Sequence, residues 1–262
     1  YGMLNVDSGT GTWALAEWYP IVAGWDPATG FELDPPSVNG DPIFSTTARY
    51  HVTVAAPEAW TIVSTGDATS SSSVTDGVRT WEIATGPVRD FTMVADEDYE
   101  SVSEVVDGTT IISWYNPGGD RAGEAALTYA AQAIALFNQL LVPYPYATFD
   151  VVPVELYGAA GVEFPQLIFI AQSYYVPDPD LAIPNDFDFT IAHEVVHQWF
   201  YALVGNNQYL HAFTDEGLTN FLSSRVYFTH EYGGAVGGRM FEDAAHGVFV
   251  SVVRSGGDQI VD

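Results

Sequence analysis

The stretch "FTIAHEVVHQWFYALVG", Phe189 to Gly205, places two of the chain's six histidines four residues apart. Four residues make about one turn of an α-helix, so His193 and His197 would project from the same helix face. We predict a helix from Asp186 to Val204 that carries them. The pattern His-Glu-x-x-His suits a metal ion, because two neutral imidazoles bind zinc while the intervening Glu194 reaches a metal-bound water. The alternative is a helix whose two histidines cap or line a polar core.

A third metal ligand is expected on the next helix. The run "FTDEGLTNFLSSRVYF" predicts an amphipathic helix over Asp215 to Tyr227, and its first turn contains Glu216, with eighteen residues between it and His197. Packed beside the first helix, Glu216 would face the open side of the two histidines. Two histidines and one glutamate, with a fourth position left for water, are a ligand set of catalytic zinc sites. The alternative for Glu216 alone is an acidic residue at the N-terminus of a helix, where the helix dipole favours negative charge.

The composition restricts the possible partners. The chain has 262 residues, 7 arginines and no lysine, 34 acidic residues and a net charge of -27. Such a field repels phosphate, so we expect neither nucleic acid nor an anionic membrane as a partner. No apolar run is long enough for a membrane span. Without cysteine, the strong metal ligands available are His, Asp and Glu. The acidic excess predicts an extracellular or cell-surface location, with the cytoplasm as the alternative.

The sequence changes character near residue 115. Before it, runs rich in β-branched and aromatic residues alternate with turn clusters, which predicts antiparallel sheet. After it, Asp120 to Leu141 has helical spacing, followed by the strand-like runs "TFDVVPVEL" and "FPQLIFIAQ" and by further helices, the last over roughly Gly233 to Arg254. We predict an α+β chain with an antiparallel sheet domain at 1–114 and a second domain at 115–262.

These motifs together resemble a known family, the gluzincin zinc aminopeptidases that include aminopeptidase N and leukotriene hydrolase. The resemblance rests on "HEVVHQWF" at 193–200, "DEG" at 215–217 and "AGVEFP" at 160–165, the last being similar to the family's Gly-x-Met-Glu exopeptidase motif. Upstream, "EWYPIVAGWD" and "DPIFSTTARYHVTVAAP" resemble the second half of the β-sandwich domain that precedes the catalytic domain in this family. The resemblance therefore implies a β-sandwich followed by a thermolysin-like zinc metallopeptidase domain.

The resemblance also implies roles for individual residues. One zinc ion per chain would be held by His193, His197 and Glu216, with Glu194 as the general base that activates water. Glu163, with Gly161 beside it, would bind the free α-amine of a peptide substrate, because a buried ammonium pairs with a carboxylate. The strand "FPQLIFIAQ" is expected to offer its edge to the extended peptide.

The sequence departs from the family pattern at several positions. Ala160 and Val162 replace the usual Gly and Met of the exopeptidase motif, and Phe164 replaces the usual Asn. The family's further acid along the ligand helix is Ser223 here, so a carboxylate or amide that orients a ligand histidine must come from elsewhere. The candidates are Asp215, Asn220 and Asp243.

The resemblance predicts that both domains are incomplete. The family's oxyanion-stabilising tyrosine is expected beyond Asp262, and an early β-domain segment is expected before Tyr1. Tyr227 and Tyr232 match no family position and are not assigned that role.

Three functions remain open from the sequence. The first is a zinc aminopeptidase that cleaves peptide bonds near a free N-terminus. The second is a zinc endopeptidase or another amide hydrolase of the same fold, in which Glu163 is structural. The third is a peptide-binding scaffold that does not turn over substrate.

Overall fold

The computed structural model describes residues 3–7, 9–33, 44–208 and 211–254. Its strands are β1 (Met3–Val6), β2 (Trp13–Ala16), β3 (Trp25–Asp26), β4 (Gly30–Phe31), β5 (His51–Pro57), β6 (Thr61–Ser64), β7 (Asp67–Ser71), β8 (Val78–Ala84), β9 (Thr92–Asp96), β10 (Glu100–Val106), β11 (Thr109–Tyr115), β12 (Thr148–Val154), β13 (Gly161–Phe164) and β14 (Leu167–Ala171). Its helices are α1 (Asp120–Leu140), α2 (Asp186–Val196), α3 (Leu218–Asn220), α4 (Phe228–Tyr232) and α5 (Gly234–Arg254), with π-helical turns at Phe213–Gly217 and Phe221–Tyr227 and a 3₁₀ turn at Gln172–Tyr174. Antiparallel sheets come first and a mixed sheet with helices follows, which agrees with the predicted α+β class.

Two antiparallel sheets occupy the first part of the chain. One has the strand order β1-β2-β9-β6 and the other β5-β8-β7, while β3 and β4 form a short hairpin. Every residue of β9 is buried. A cluster of Ile83, Phe91 and Met93 packs with side chains from both sheets, including Val52 and Ile62. The two sheets therefore share one apolar core.

A mixed five-stranded sheet follows, in the order β10-β11-β12-β14-β13. Its interior strands β12 and β14 are buried almost throughout, as expected where both faces are covered. Ile168 and Ile170 of β14 point to the side where α1 and α2 pack. Leu167 and Phe169 of the same strand join a second cluster that includes Val94 of β9. The alternation along β14 therefore ties the helical layer to the first antiparallel sheet.

The run "FPQLIFIAQ" is not an edge strand, contrary to the sequence prediction. It begins in a turn, Pro165 and Gln166, and its remainder forms β14, which lies between β12 and β13. The edge of the sheet on this side is β13, which carries Glu163. The prediction failed because the left-handed Gln166, with φ of 70°, allows a tight turn without a glycine.

The predicted domain boundary at 114/115 falls within β11, before its last residue, Tyr115, and so inside the region that builds the five-stranded sheet. Strands β10 and β11, which the sequence analysis assigns to the first domain, belong to this sheet, and β11 pairs in parallel with β12. Whether the chain divides into two domains at this point stays a prediction.

The helix that carries the two histidines is shorter than predicted. It ends at Val196 rather than Val204, and the chain then turns through hydrogen bonds from Gln198 N to Val195 O (3.0 Å) and from Trp199 N to Val196 O (2.9 Å). Asn185 caps its start by accepting a hydrogen bond from Asp188 N. None of the helices in the described ranges is both long and apolar enough to cross a lipid bilayer.

The second predicted helix is longer than expected, since helical turns run without a break from Phe213 to Tyr232. This stretch packs against α2 through a buried polar contact. Asp188, which is fully buried, accepts hydrogen bonds from the hydroxyls of Tyr227 (2.8 Å) and Tyr232 (2.6 Å). Burial raises the pKa of Asp188 to about 6, although the two tyrosine hydroxyls act in the opposite direction.

Asp188 should make stability depend on pH between about 4 and 6. Its carboxyl binds a proton more readily in the folded chain than at the ordinary value of 3.8, so its contribution to stability is greatest below that pH and declines as the pH rises to about 6. An Asp188→Asn variant cannot ionise there. Its free energy of unfolding, relative to the unmodified chain, should rise by up to about 3 kcal/mol from pH 4 to pH 7. Denaturant titrations across this range measure the difference, and a constant difference would contradict the account.

Candidate metal centre and active site

Three side chains from two helical segments bring ligand atoms together. His193 Nε2 lies 3.2 Å from His197 Nε2 and 3.2 Å from Glu216 Oε2. His193 and His197 share one face of α2, with His197 at the residue that caps its end. Glu216 is in the first π-helical turn of the following helical stretch. The structure therefore brings together the three residues predicted as metal ligands.

The spacing of these atoms fits a zinc ion. Two atoms bound tetrahedrally at 2.0–2.2 Å from zinc lie about 3.3–3.6 Å apart, close to both distances in the cluster. A second set of ligand atoms, from Glu163, His197 and Asp215, lies on the opposite nitrogen of the same imidazole. The carboxylates around the cluster outnumber its two imidazoles. They belong to Glu163, Glu194, Asp215 and Glu216, and their excess of negative charge favours a divalent cation.

His197 is oriented by acceptors on its other nitrogen. Asp215 Oδ1 and Phe200 O each lie 3.0 Å from Nδ1, and Thr219 Oγ1 lies 3.4 Å away. Because a carboxylate and a carbonyl only accept, Nδ1 carries a proton, so in the neutral ring that a metal requires the lone pair is on Nε2, which faces His193. Of the three candidates for this orienting role, Asp215 makes the contact, whereas Asp243 is exposed on α5.

The electrostatics of the cluster couple its members. Burial would lower the pKa of His197, but the carboxylates of Glu163 and Asp215 outweigh burial and hold that pKa well above its ordinary value. Burial would also raise the pKa of Glu216, but the hydrogen bond with His193 and the charge of both histidines lower it to about 2. The site thus favours positive charge among these groups, as a cation site requires.

A cleft of about 420 Å³ opens over the cluster. It is lined by Ala159, Ala160, Gly161, Val162, Glu163, Phe189, Thr190, His193, Glu194 and Glu216. Glu194 packs on the edge strand so closely that a Cβ added at Gly161 would lie 2.5 Å from its Oε1. Glu163 follows two residues later on β13, is 7% exposed, and its Oε1 lies 3.8 Å from His197 Nδ1. All six predicted site residues are therefore in one place, five of them in the cleft lining.

Sequence reasoning missed two of the groups around His197. The carbonyl of Phe200 depends on the turn that ends α2 early, and no side-chain pattern reports a backbone oxygen. Thr219 lies four residues after Asp215, one helical turn along the same face. This helical spacing was the signal that could have identified Thr219. His193 Nδ1 is buried and has no hydrogen-bond partner among the described residues.

Comparison with known proteins agrees with this geometry. Residues 125–247 match the model of the peptidase family M1 domain. This part of the chain is an M1 peptidase domain. The resemblance to gluzincin aminopeptidases is therefore confirmed at the level of the family, and the matched range contains every residue of the metal cluster.

Curated relatives carry aminopeptidase names. Aminopeptidase M1-B of Oryza sativa subsp. japonica is 27% identical over 122 residues, which cover 45% of this chain and 14% of that protein. Aminopeptidase 2 of Candida albicans is 30% identical over 111 residues, 41% of this chain and 12% of that protein. Leucine aminopeptidase 2 of Vanderwaltozyma polyspora is 32% identical over 90 residues, 34% of this chain and 13% of that protein. The match thus spans a small part of these relatives' length.

Asp215 should strengthen metal binding through His197. An Asp215→Asn variant keeps the shape of the side chain but loses the charge that holds the Nδ1 proton, so zinc affinity should fall by about 10- to 100-fold. Competition with a chelator of known affinity measures this change. Asp186→Asn, the same substitution at an exposed position on α2, is the control. Equal zinc affinity in the two variants would contradict the orienting role.

Proposed function

We propose that this protein is a zinc-dependent aminopeptidase. The observation that carries the proposal is the common cleft, in which three ligand atoms spaced for one zinc ion lie beside two further carboxylates, Glu194 and Glu163. Family membership and the relatives' names support it. The five-stranded sheet with its helices is proposed to be a thermolysin-like catalytic domain, and the two antiparallel sheets before it a β-sandwich.

The metal would be held by His193, His197 and Glu216. Bound there, zinc would supply Lewis acidity, which polarises a carbonyl and lowers the pKa of water towards neutrality. Glu194 accepts the proton of the attacking water and delivers it to the leaving amine nitrogen. The packing of Glu194 against Gly161 holds its carboxylate at the floor of the cleft, beside the ligands, and limits its freedom to swing away.

Glu163 supplies the selectivity for a free N-terminus. Its carboxylate is almost fully buried, and a buried carboxylate binds an ammonium group far more favourably than a neutral acylated nitrogen. Because it lies on the edge strand β13, an extended peptide paired along that edge would place its amine near Glu163 and its first peptide bond over the metal. The extracellular or cell-surface location rests on composition alone and stays a prediction.

A comparison of two peptides tests this function. The zinc-loaded protein should hydrolyse a short peptide with a free N-terminus, and N-acetylation should lower kcat/KM by at least about 100-fold, because the acetylated nitrogen cannot pair with Glu163. A Glu194→Gln variant that still binds zinc should lose the activity by at least about 100-fold, whereas Glu124→Gln, an exposed position on α1, should not.

Each alternative function predicts a different result. Equal hydrolysis of the free and acetylated peptides would indicate an endopeptidase or another amide hydrolase, with a structural Glu163. Peptide binding without hydrolysis by the zinc-loaded protein would indicate a scaffold. Both results contradict the aminopeptidase proposal.

A further inference from the structure

Gln198 connects the metal helix to the strand that carries Glu163. It is fully buried and follows the ligand His197 directly in the chain. Its Nε2 donates a hydrogen bond to Phe164 O (3.0 Å), and its Oε1 accepts one from Gln166 N (3.0 Å). One side-chain amide thus bonds to the carbonyl and the amide on either side of Pro165, as a neighbouring strand would.

The turn that Gln198 holds has an unfavourable conformation. Phe164 pairs with Leu167 across the hairpin of β13 and β14, and Pro165 and Gln166 are its two turn residues. Gln166 has φ of 70°, a left-handed conformation that is common for glycine and costs a residue with a side chain about 1 kcal/mol. Its side chain and its carbonyl are also fixed, by Gly66 N (3.1 Å) and Asp150 N (2.9 Å). The turn therefore depends on contacts from outside the hairpin.

Strand β13 is hydrogen-bonded to the sheet along one edge. It is four residues long and lies at the edge of the sheet, and β14 is its one partner strand among the described residues. Glu163 lies beside the turn, paired with Ile168 and followed directly by Phe164. Displacement of the turn would therefore move the Glu163 carboxylate relative to His197. The amide of Gln198 opposes this displacement because its own backbone is fixed next to the metal ligand.

We propose that Gln198 is a positioning residue that sets the distance between Glu163 and the metal site, and thereby the recognition of the substrate's free amine. The inference deepens the proposed aminopeptidase function and rests on it. Gln198 contributes no ligand atom to the cluster and is absent from the described cleft lining, so its side chain acts through the hairpin. Recognition that needs two fixed points, one on the amine and one on the carbonyl, is sensitive to shifts of about 1 Å.

The first test is made on the hairpin itself, without any reaction. In Gln198→Met, which keeps the side-chain length but makes neither hydrogen bond, the amide of Gln166 should exchange its hydrogen at least about tenfold faster than in the unmodified protein. The matched control is Gln132→Met on α1, where the amide side chain bonds to the Tyr227 hydroxyl instead. Unchanged hydrogen exchange at the Gln166 amide would contradict the claim that Gln198 holds this turn.

The second test separates amine recognition from metal binding. Leucine hydroxamate and its des-amino analogue share the zinc-binding group and differ in the amine. Gln198→Met should weaken binding of leucine hydroxamate to the zinc-loaded protein by about 10- to 100-fold, and binding of the des-amino analogue by less than about threefold. Equal losses for both ligands would reduce Gln198 to a structural residue and contradict the proposal.

A third measurement needs no variant and applies even if Gln198→Met fails to fold. By linkage, if a ligand amine binds better when Gln198 holds the hairpin, the bound amine must also stabilise the hydrogen bonds between Gln198 and the hairpin. Leucine hydroxamate should therefore slow exchange at the Gln166 amide more than its des-amino analogue does. Equal protection by the two ligands would contradict the coupling. If the unmodified protein binds both ligands equally well, the aminopeptidase proposal fails. Faster hydrogen exchange at the Gln166 amide in Gln198→Met would still support the contact between Gln198 and the hairpin.

Discussion

The pairing of His193 Nε2 with both His197 Nε2 and Glu216 Oε2, each at 3.2 Å, is the constraint on which the rest of the site depends. Imidazole nitrogens and a carboxylate oxygen at this distance need a shared proton or a shared cation. The four-residue step on α2 supplies two of the atoms, but the third comes from a different helical segment. The packing of that segment on α2, including the buried contacts of Asp188 with Tyr227 and Tyr232, therefore decides whether the cluster forms.

The early end of α2 gives His197 its surroundings. At the helix end the chain turns, so the Phe200 carbonyl folds back to Nδ1, and Gln198 reaches the hairpin of β13 and β14. Three consecutive residues have different proposed roles: His197 is a metal ligand, Gln198 is a positioning residue and Trp199 is a buried aromatic anchor. The indole N–H of Trp199 donates to Val142 O. In a continued helix the Phe200 carbonyl would point along the helix axis and away from His197 Nδ1.

Much of this arrangement could be predicted from the sequence because it depends on local spacing. The His-Glu-x-x-His step and the acid at the start of the next helix identify the ligand cluster, and runs rich in β-branched and aromatic residues identify strands such as β9, β11 and β14. Tertiary contacts decide what the sequence analysis missed. Strand β10 is an edge strand whose residues are largely exposed, so its Glu100 and Glu104 break any apolar pattern. The turn at Gln166 lacks the expected glycine because neighbouring elements hold its backbone.

Zinc stoichiometry tests the central claim most directly. Elemental analysis of the protein, dialysed after exposure to zinc, should give about one ion per chain, and Glu216→Ala should lose it, because removal of one of three ligands leaves two imidazoles that cannot hold zinc at the same affinity. Glu231→Ala, an acid on α4 that pairs with His230, is the matched control and should keep the ion. No zinc in the unmodified protein, or one zinc ion in Glu216→Ala, would contradict the proposed metal centre.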